Sequence, residues 1–207
     1  MGAVLKKLAA LLLTVVALTA CGSSGNASGP HQFAAIPYGA FKPASITLTD
    51  TAGKPYNVAT TPRTPLTLVF FGYTHCPDEC PAVMSQVASG FSRLSADQTS
   101  KITMVFVTTD PAEDTPSVLR SWLNRYNASF VGLTGTLSQV TALAKSLRLT
   151  VEGATRLPSG GWEPATHDTH VVALNAQHVI VGVWEMETTS KQYAGDLQAM
   201  LEGQLPS

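Results

Sequence analysis

The chain has 207 residues, of which 44% are hydrophobic and 13% are charged, and its formal net charge is −1. This length suits one domain of ordinary size with extensions. The near-neutral charge, without a basic stripe, an RNA-binding aromatic signature or zinc-finger spacing, argues against nucleic acid as a partner.

The first 21 residues have the pattern of a targeting segment. Two lysines precede a short apolar run, Leu8 to Leu18, which is too short to span a bilayer as a permanent helix but is typical of a signal peptide. The run closes with Leu18-Thr19-Ala20-Cys21, which resembles the lipobox of bacterial lipoproteins. That resemblance implies cleavage before Cys21 and a diacylglyceryl anchor on its sulfur. We therefore expect an extracytoplasmic protein that is lipid-anchored to a bacterial cell membrane.

Residues 22–40 are rich in Gly, Ser, Asn, Ala and Pro and carry almost no charge, which predicts a flexible tether. His31 lies within this stretch, and we expect its side chain to be solvated. The folded domain is predicted to begin near Phe41 and to occupy residues 41–207.

The domain alternates predicted strands and helices and ends in a hairpin and a helix. Predicted strands are a hairpin within Ile46–Val58, buried strands at Leu66–Phe71 and Ile102–Val107, a short strand at Phe130–Leu133, and a second hairpin of Val171–Leu174 with Val179–Trp184. Predicted helices run through Met84–Leu94, Pro116–Tyr126, Leu137–Leu147 and Lys191–Leu201. This order predicts an α/β domain of thioredoxin-like topology, with an N-terminal β-hairpin extension and a C-terminal hairpin plus helix.

Two cysteines four positions apart follow the first buried strand. Because a proline cannot sit inside a continuous helix here, we predict Pro81 in the first turn of the next helix, with Cys80 at its cap and Cys76 in the preceding loop. Both sulfurs would then lie near free backbone N–H groups at the positive end of the helix dipole, which lowers a thiol pKa. The layout predicts a soft-metal and thiol redox site, and a structural disulfide is the alternative.

Several blocks of the sequence resemble the Sco/SenC family, whose members are copper-binding, thioredoxin-fold factors that support assembly of the CuA centre of cytochrome c oxidase. The stretch Gly72-Tyr73-Thr74-His75-Cys76-Pro77-Asp78-Glu79-Cys80-Pro81 is similar to the family's cysteine motif nearly residue for residue. The segment Asp110–Pro116 resembles its aspartate–proline loop, and Val131–Thr136 resembles a third block. The resemblance covers roughly Ile46 to the C-terminus.

The resemblance implies copper, as Cu(I) or Cu(II), bound by Cys76, Cys80 and a histidine. Two thiolates select soft ions such as Cu(I), and an added imidazole makes a trigonal site that also accommodates Cu(II). A structural zinc ion would want four ligands. The family's ligand position, counted back from Asn175, falls on His167. His170 is the alternative, and the two side chains are predicted to point to opposite faces of an extended segment.

One acidic residue is a candidate for supporting the site. Asp110 ends a buried strand and resembles a family position near the metal, so it could orient His167 or influence the thiols. A turn aspartate is the alternative. His75 is predicted to pack beside the site or support it rather than to bind the metal.

Three functions remain open at this point. The first is an extracytoplasmic copper metallochaperone that delivers copper to the copper-receiving subunit of cytochrome c oxidase. The second is a membrane-tethered thiol–disulfide oxidoreductase that keeps the oxidase's copper-site cysteines reduced, in which one of Cys76 and Cys80 attacks and the other resolves the mixed disulfide. The third is an anchored interaction module with an inert disulfide.

Overall fold

The computed structural model describes residues 31–152, 155–156, 162–163 and 166–207. The predicted signal segment, the predicted lipidation site Cys21 and the first part of the predicted tether lie outside these residues. Within the described ranges, no helix combines the length and the apolar character that crossing a membrane requires.

The predicted strands and helices all form in the predicted order, and the described residues add one short helix and four two-residue strands that were not predicted. The strands are β1 (Thr47–Asp50), β2 (Pro55–Asn57), β3 (Leu66–Gly72), β4 (Ile102–Thr108), β5 (Val131–Thr134), β6 (Val151–Glu152), β7 (Thr155–Arg156), β8 (Trp162–Glu163), β9 (Thr166–His167), β10 (Val171–Asn175) and β11 (Ile180–Trp184). The helices are α1 (Glu79–Phe91), α2 (Ala96–Thr99), α3 (Pro116–Asn124), α4 (Leu137–Ser146) and α5 (Ser190–Leu201). Both predicted hairpins form, as β1–β2 and β10–β11.

A seven-stranded mixed sheet organises these elements, in the order β11-β10-β3-β4-β5-β1-β2. The three central strands β3, β4 and β5 are parallel, whereas β10 and β1 run antiparallel to their neighbours in this group. The two short pairs β6–β9 and β7–β8 stand apart from this sheet. Strand β3 is therefore an internal strand. Its carboxyl end lies at the end of the sheet where the parallel strands finish, which is where α/β domains commonly place functional residues.

Strand β3 is buried on both faces. Leu68 and Phe70 pack against the layer of α1, α3 and α5, while Val69 and Phe71 face the layer that contains α4. All four side chains have no exposed surface, and full burial of such a side chain stabilises the fold by about 1.5–3 kcal/mol. This packing fixes the end of β3, which is where the cysteine loop begins.

The folded domain begins earlier than the composition predicted. The Ile36 backbone pairs with Val183 of β11 through N–H···O hydrogen bonds of 2.9 and 3.0 Å. The ring of His31 lies 2.6 Å from the Asp196 carboxylate. The predictions of a tether that extends to residue 40 and of a solvated His31 are therefore wrong for residues 31–40. A short apolar run inside this segment covers the outer strand β11. Without it, the backbone N–H and C=O groups on the open side of β11 would lack protein partners.

Candidate metal centre

The cysteine loop connects the end of β3 to the start of α1. Helix α1 has Asp78 as its N-cap residue, so Cys80 lies in the first turn and not at the cap as predicted. Pro81 occupies the first turn, as predicted, because the N–H that proline lacks would have no partner inside the helix there. The structure therefore places Cys80 two positions beyond the cap, as the second residue of the helix, and leaves Cys76 in the loop.

Both cysteines are free thiols on the buried side of this loop. The exposed fraction is 8% for Cys76 and 0% for Cys80. The backbone N–H of Cys80 donates to the sulfur of Cys76, with an N···S distance of 3.4 Å. The glycine at position 72 makes room for this arrangement, since a Cβ atom there would lie 2.8 Å from the Cys80 sulfur.

The two thiols differ in acidity. Burial acts to raise the pKa of Cys76, but the backbone N–H groups of Cys80 and Asp78 stabilise its thiolate, and the net effect lowers its pKa. Burial raises the pKa of Cys80 well above its ordinary value, and the neighbouring Cys76 adds to the effect. The prediction that both thiols are acidic is therefore right for Cys76 and wrong for Cys80, because the helix dipole does not compensate for complete burial.

His167 is the imidazole that the structure brings to the cysteines. Its Nε2 atom lies 3.4 Å from the Cys80 sulfur, and its Nδ1 atom lies 3.1 Å from the carbonyl oxygen of Asp168. A carbonyl oxygen only accepts, so Nδ1 carries the proton and the Nε2 lone pair faces the sulfur. Burial lowers the pKa of His167, which favours this neutral form. The ring stands edge-on to Phe70 and Tyr73.

His170 lies on the other side of the sheet. Its ring centroid is 6.5 Å from that of Tyr38, a residue that packs against the core layer containing α4. His167, in contrast, lies beside Phe70 in the opposite core layer. The expected divergence of the two histidines is therefore present, and it is His167 that meets Cys80.

Asp110 lies beside His75 rather than beside His167. The carboxylate oxygen Oδ2 of Asp110 is 3.3 Å from His75 Nε2, and the His75 ring in turn packs edge-on against Tyr73. His167 is oriented instead by the backbone carbonyl of Asp168. The structure therefore places Asp110 against His75, the residue next to Cys76, and not against the candidate ligand His167.

Sequence reasoning missed two residues that support the site. Tyr73 has its ring 4.9 Å from that of His75 and 5.7 Å from that of His167, and burial raises the pKa of Tyr73 to about 12. The carboxylate of Asp114 is buried against the cysteine loop, while the neighbouring Thr115 caps α3. The pair Thr115-Pro116 is sufficient to start a helix, so the sequence already left Asp114 without a capping role.

The geometry of the Cys80–His167 pair fits a shared metal ion. Metal–sulfur and metal–nitrogen bonds of about 2.3 and 2.0–2.1 Å, at tetrahedral to trigonal angles, separate the two donor atoms by roughly 3.5–3.8 Å. The observed separation is 3.4 Å. Among the residues that the structure describes, no three His, Cys, Asp or Glu side chains already stand close enough together to hold an ion. The Cys76 sulfur is a candidate for a third donor, because the backbone N–H of Cys80 donates to it.

Comparison with known proteins identifies the family of this chain. The SCO1/SenC family model matches residues 39–202, which is most of the sequence. The chain belongs to the SCO1/SenC family. The match begins upstream of residue 41 and includes the cysteine loop, Asp110, Asp114 and both candidate histidines.

Individual relatives agree with this assignment. A putative copper-binding protein of Stutzerimonas stutzeri is 42% identical over 88 residues, which cover 42% of this chain and 43% of that protein. Across the first three curated relatives, the matched stretch spans between 34% and 60% of their length.

Solved structures share the fold. The copper-bound structure of ScoI from Bradyrhizobium japonicum is 25% identical, with a TM-score of 0.64 over 79% of this chain and 98% of that chain. BsSco, described as having a disulfide switch and as a member of the Sco family of cytochrome c oxidase assembly proteins, is 19% identical, with a TM-score of 0.62 over 79% of this chain and 94% of that chain. These likenesses confirm the predicted thioredoxin-like α/β fold.

Proposed function

We propose that this protein binds copper through Cys76, Cys80 and His167 and delivers it to the copper-receiving subunit of cytochrome c oxidase. The observation that carries this proposal is the 3.4 Å approach of His167 Nε2 to the Cys80 sulfur, beside the thiol of Cys76. Two thiolates and one neutral imidazole form a donor set that suits Cu(I) and also accommodates Cu(II).

The local geometry supports binding of a transferable ion. His167 presents a free lone pair, because its other ring nitrogen donates to the Asp168 carbonyl. Cys76 is the more acidic thiol and the less buried one, so it is the natural first ligand. Binding by all three donors requires the Cys76 sulfur to turn from the Cys80 amide toward the ion. Three protein ligands leave a position open, through which a recipient's ligand can enter during exchange.

The related proteins support copper as the cargo and the oxidase as the destination. The Stutzerimonas relative is named for copper binding, and the Bradyrhizobium structure holds copper. The BsSco description places the Sco family among cytochrome c oxidase assembly proteins. The cysteine motif, the loop at Asp110 and His167 all lie inside the matched family region.

The proposal includes an extracytoplasmic location and a lipid anchor on Cys21, supported by the lipobox-like sequence. Because residues 31–40 pack on the domain, the tether between anchor and domain is shorter than the composition suggested. The proposed tether then comprises nine residues, 22–30, which can reach at most about 30–32 Å. Such a tether would hold the copper site near membrane-embedded partners.

A Cu(I) titration of the reduced, full-length protein tests the proposal. A competing chromogenic chelator reports the stoichiometry and the affinity. We expect one copper ion per chain in the wild type, and loss of tight binding in Cys76→Ala, Cys80→Ala and His167→Ala. His170→Ala is the matched control and should bind as the wild type does. A wild-type protein that leaves all copper with the chelator would contradict the proposal.

The asymmetry of the two thiols favours a second candidate function, thiol–disulfide exchange. Cys76, with its lowered pKa and slight exposure, suits the attacking thiolate, and the buried Cys80 suits the resolving thiol. In this reaction the Cys76 sulfur displaces one sulfur of a substrate disulfide, and Cys80 then displaces the second, leaving a Cys76–Cys80 disulfide and a reduced substrate. Exchange needs no imidazole ligand, so His167→Ala should abolish tight copper binding while retaining reduction of a small disulfide substrate.

A further inference from the structure

Asp114 is a buried carboxylate that the proposed copper chemistry does not use directly. Its side chain is completely inaccessible to solvent, and a buried carboxylate is costly unless it is hydrogen-bonded. It accepts hydrogen bonds from the Thr74 backbone N–H at 3.0 Å, from the Thr74 hydroxyl at 2.5 Å and from the Thr108 hydroxyl at 2.6 Å. Two of these three donors belong to Thr74, a residue of the cysteine loop.

These contacts join the loop to the sheet. Thr108 is the last residue of β4, and the backbone N–H of Asp114 donates to the carbonyl of Asp110 at 2.9 Å. The carboxylate is therefore held by the sheet end and holds Thr74 by both its backbone and its side chain. Thr74 is only two residues from Cys76, so a displacement of Thr74 is passed to the Cys76 backbone.

Helix capping does not explain the buried charge. The Thr115 hydroxyl accepts the capping hydrogen bond of α3, and Pro116 opens the helix. Asp114 Oδ1 instead lies 3.9 Å from His75 Nδ1, on the loop side. Apart from the hydroxyl of Thr108 in β4, the polar contacts of this carboxylate therefore lie in the segment that carries the candidate copper ligand Cys76.

We propose that Asp114 is a positioning residue, which fixes Thr74 and thereby the backbone of Cys76, whose thiol must reach the ion that Cys80 and His167 would share. The copper part of this proposal rests on the proposed function of these three residues. Residues that hydrogen-bond to metal ligands and orient them typically contribute about 10- to 100-fold to metal affinity. The geometry of a functional site tolerates displacements of only about 0.5 Å.

The chain supplies a matched control for loss of a buried carboxylate. Asp196 is equally inaccessible, and its partners are Ala34, Ala35, Trp184 and His31, far in sequence from the cysteine loop. Asp114→Asn and Asp196→Asn should both lower the stability of the fold. Only Asp114→Asn should weaken Cu(I) binding by the full-length protein, by about tenfold or more, measured where urea titration shows each variant to be folded.

Two variants of the partner residue keep the test valid if Asp114→Asn fails to fold. Thr74→Val removes the hydroxyl and keeps the backbone N–H, so it should weaken Cu(I) binding in the same direction. Thr74→Ser keeps the hydroxyl and should therefore keep the wild-type affinity for Cu(I). Wild-type affinity in both Asp114→Asn and Thr74→Val, or an equal loss in Asp196→Asn, would overturn the positioning role.

A copper-independent measurement separates this inference from the proposed function. The rate at which iodoacetamide alkylates Cys76 at one fixed pH depends on the Cys80 N–H that faces its sulfur. We expect that rate to change several-fold in Thr74→Val and Asp114→Asn and to be unchanged in Thr74→Ser and Asp196→Asn. If the alkylation rate changes in Thr74→Val and Asp114→Asn but the wild type binds no copper, the copper function is overturned and the positioning role stands. If the alkylation rate is unchanged in these two variants, the positioning role is overturned.

Discussion

The glycine at the end of β3 offers a sharp test of the packing around Cys80. A Cβ atom at position 72 would lie 2.8 Å from the Cys80 sulfur and 3.1 Å from the Phe106 ring. Non-bonded heavy atoms pack best at about 3.5–4.0 Å, so the sulfur would have to move by roughly 0.7 Å or more. Cys80 and Phe106 have no exposed surface, so neither can move into solvent.

The expected cost of Gly72→Ala follows from these contacts. Overpacking a core costs about 1–3 kcal/mol, and the loss of glycine's freedom in the unfolded chain offsets about 0.4–1 kcal/mol of this. We therefore expect a net destabilisation of about 1–2 kcal/mol. The displaced sulfur should also weaken Cu(I) binding about tenfold, because the shift exceeds the roughly 0.5 Å that a binding site tolerates.

Urea unfolding and Cu(I) competition measure the two effects on the same protein. Gly132→Ala is the matched control: a Cβ atom there would lie 2.7 Å from Leu123 and 2.9 Å from Leu119, but it would meet no cysteine. This control should lose stability and keep its copper affinity. A Gly72→Ala protein with wild-type stability and wild-type affinity would refute the close packing of the Cys80 sulfur against β3.

Three further predictions concern the thiols, the imidazole and the N-terminal segment. Limited alkylation followed by peptide mapping should modify Cys76 before Cys80, because Cys76 is more acidic and less buried; equal labelling would contradict this order. Burial lowers the pKa of His167 below its ordinary 6.5, so the unfolded chain binds the additional proton. The contribution of neutral His167 to the free energy of unfolding is therefore complete above about pH 6.5 and is lost as the pH falls below that value. His167→Gln should make the free energy of unfolding, measured with urea, depend less on pH on the acid side. Relative to a protein that lacks residues 1–30, deleting ten more residues should cost about 3 kcal/mol, because Asp196 then loses three of its four donors; equal midpoints of the two proteins would show that residues 31–40 do not support the fold.

The central strand and the cysteine loop were predictable because local sequence determines them. A run such as Leu66–Phe71 can only be satisfied by burial on both faces, and Pro81 restricts where α1 can begin. The position of His167 opposite Cys80 came from resemblance to the family and not from periodicity. No local rule connects residues that are so far apart in the chain.

The features that the sequence did not predict depend on tertiary packing. The pKa of Cys80 is controlled by complete burial, which outweighs the helix dipole. The segment 31–40 looked like a linker by composition, yet Ile36 completes a sheet edge that the sequence does not specify. Asp114 precedes a Thr115-Pro116 helix start that needs no further cap, and only the folded loop reveals that its carboxylate accepts two hydrogen bonds from Thr74.

The convergence of Cys76, Cys80 and His167 on one copper ion is tested most directly by spectroscopy of the Cu(II)-loaded protein. Absorption reports thiolate-to-copper charge transfer, and EPR reports nitrogen coupling from a bound imidazole. We expect both signals in the wild type and in His170→Ala, and loss of the nitrogen coupling in His167→Ala. Nitrogen coupling that persists in His167→Ala, or that disappears in His170→Ala instead, would contradict the assigned site.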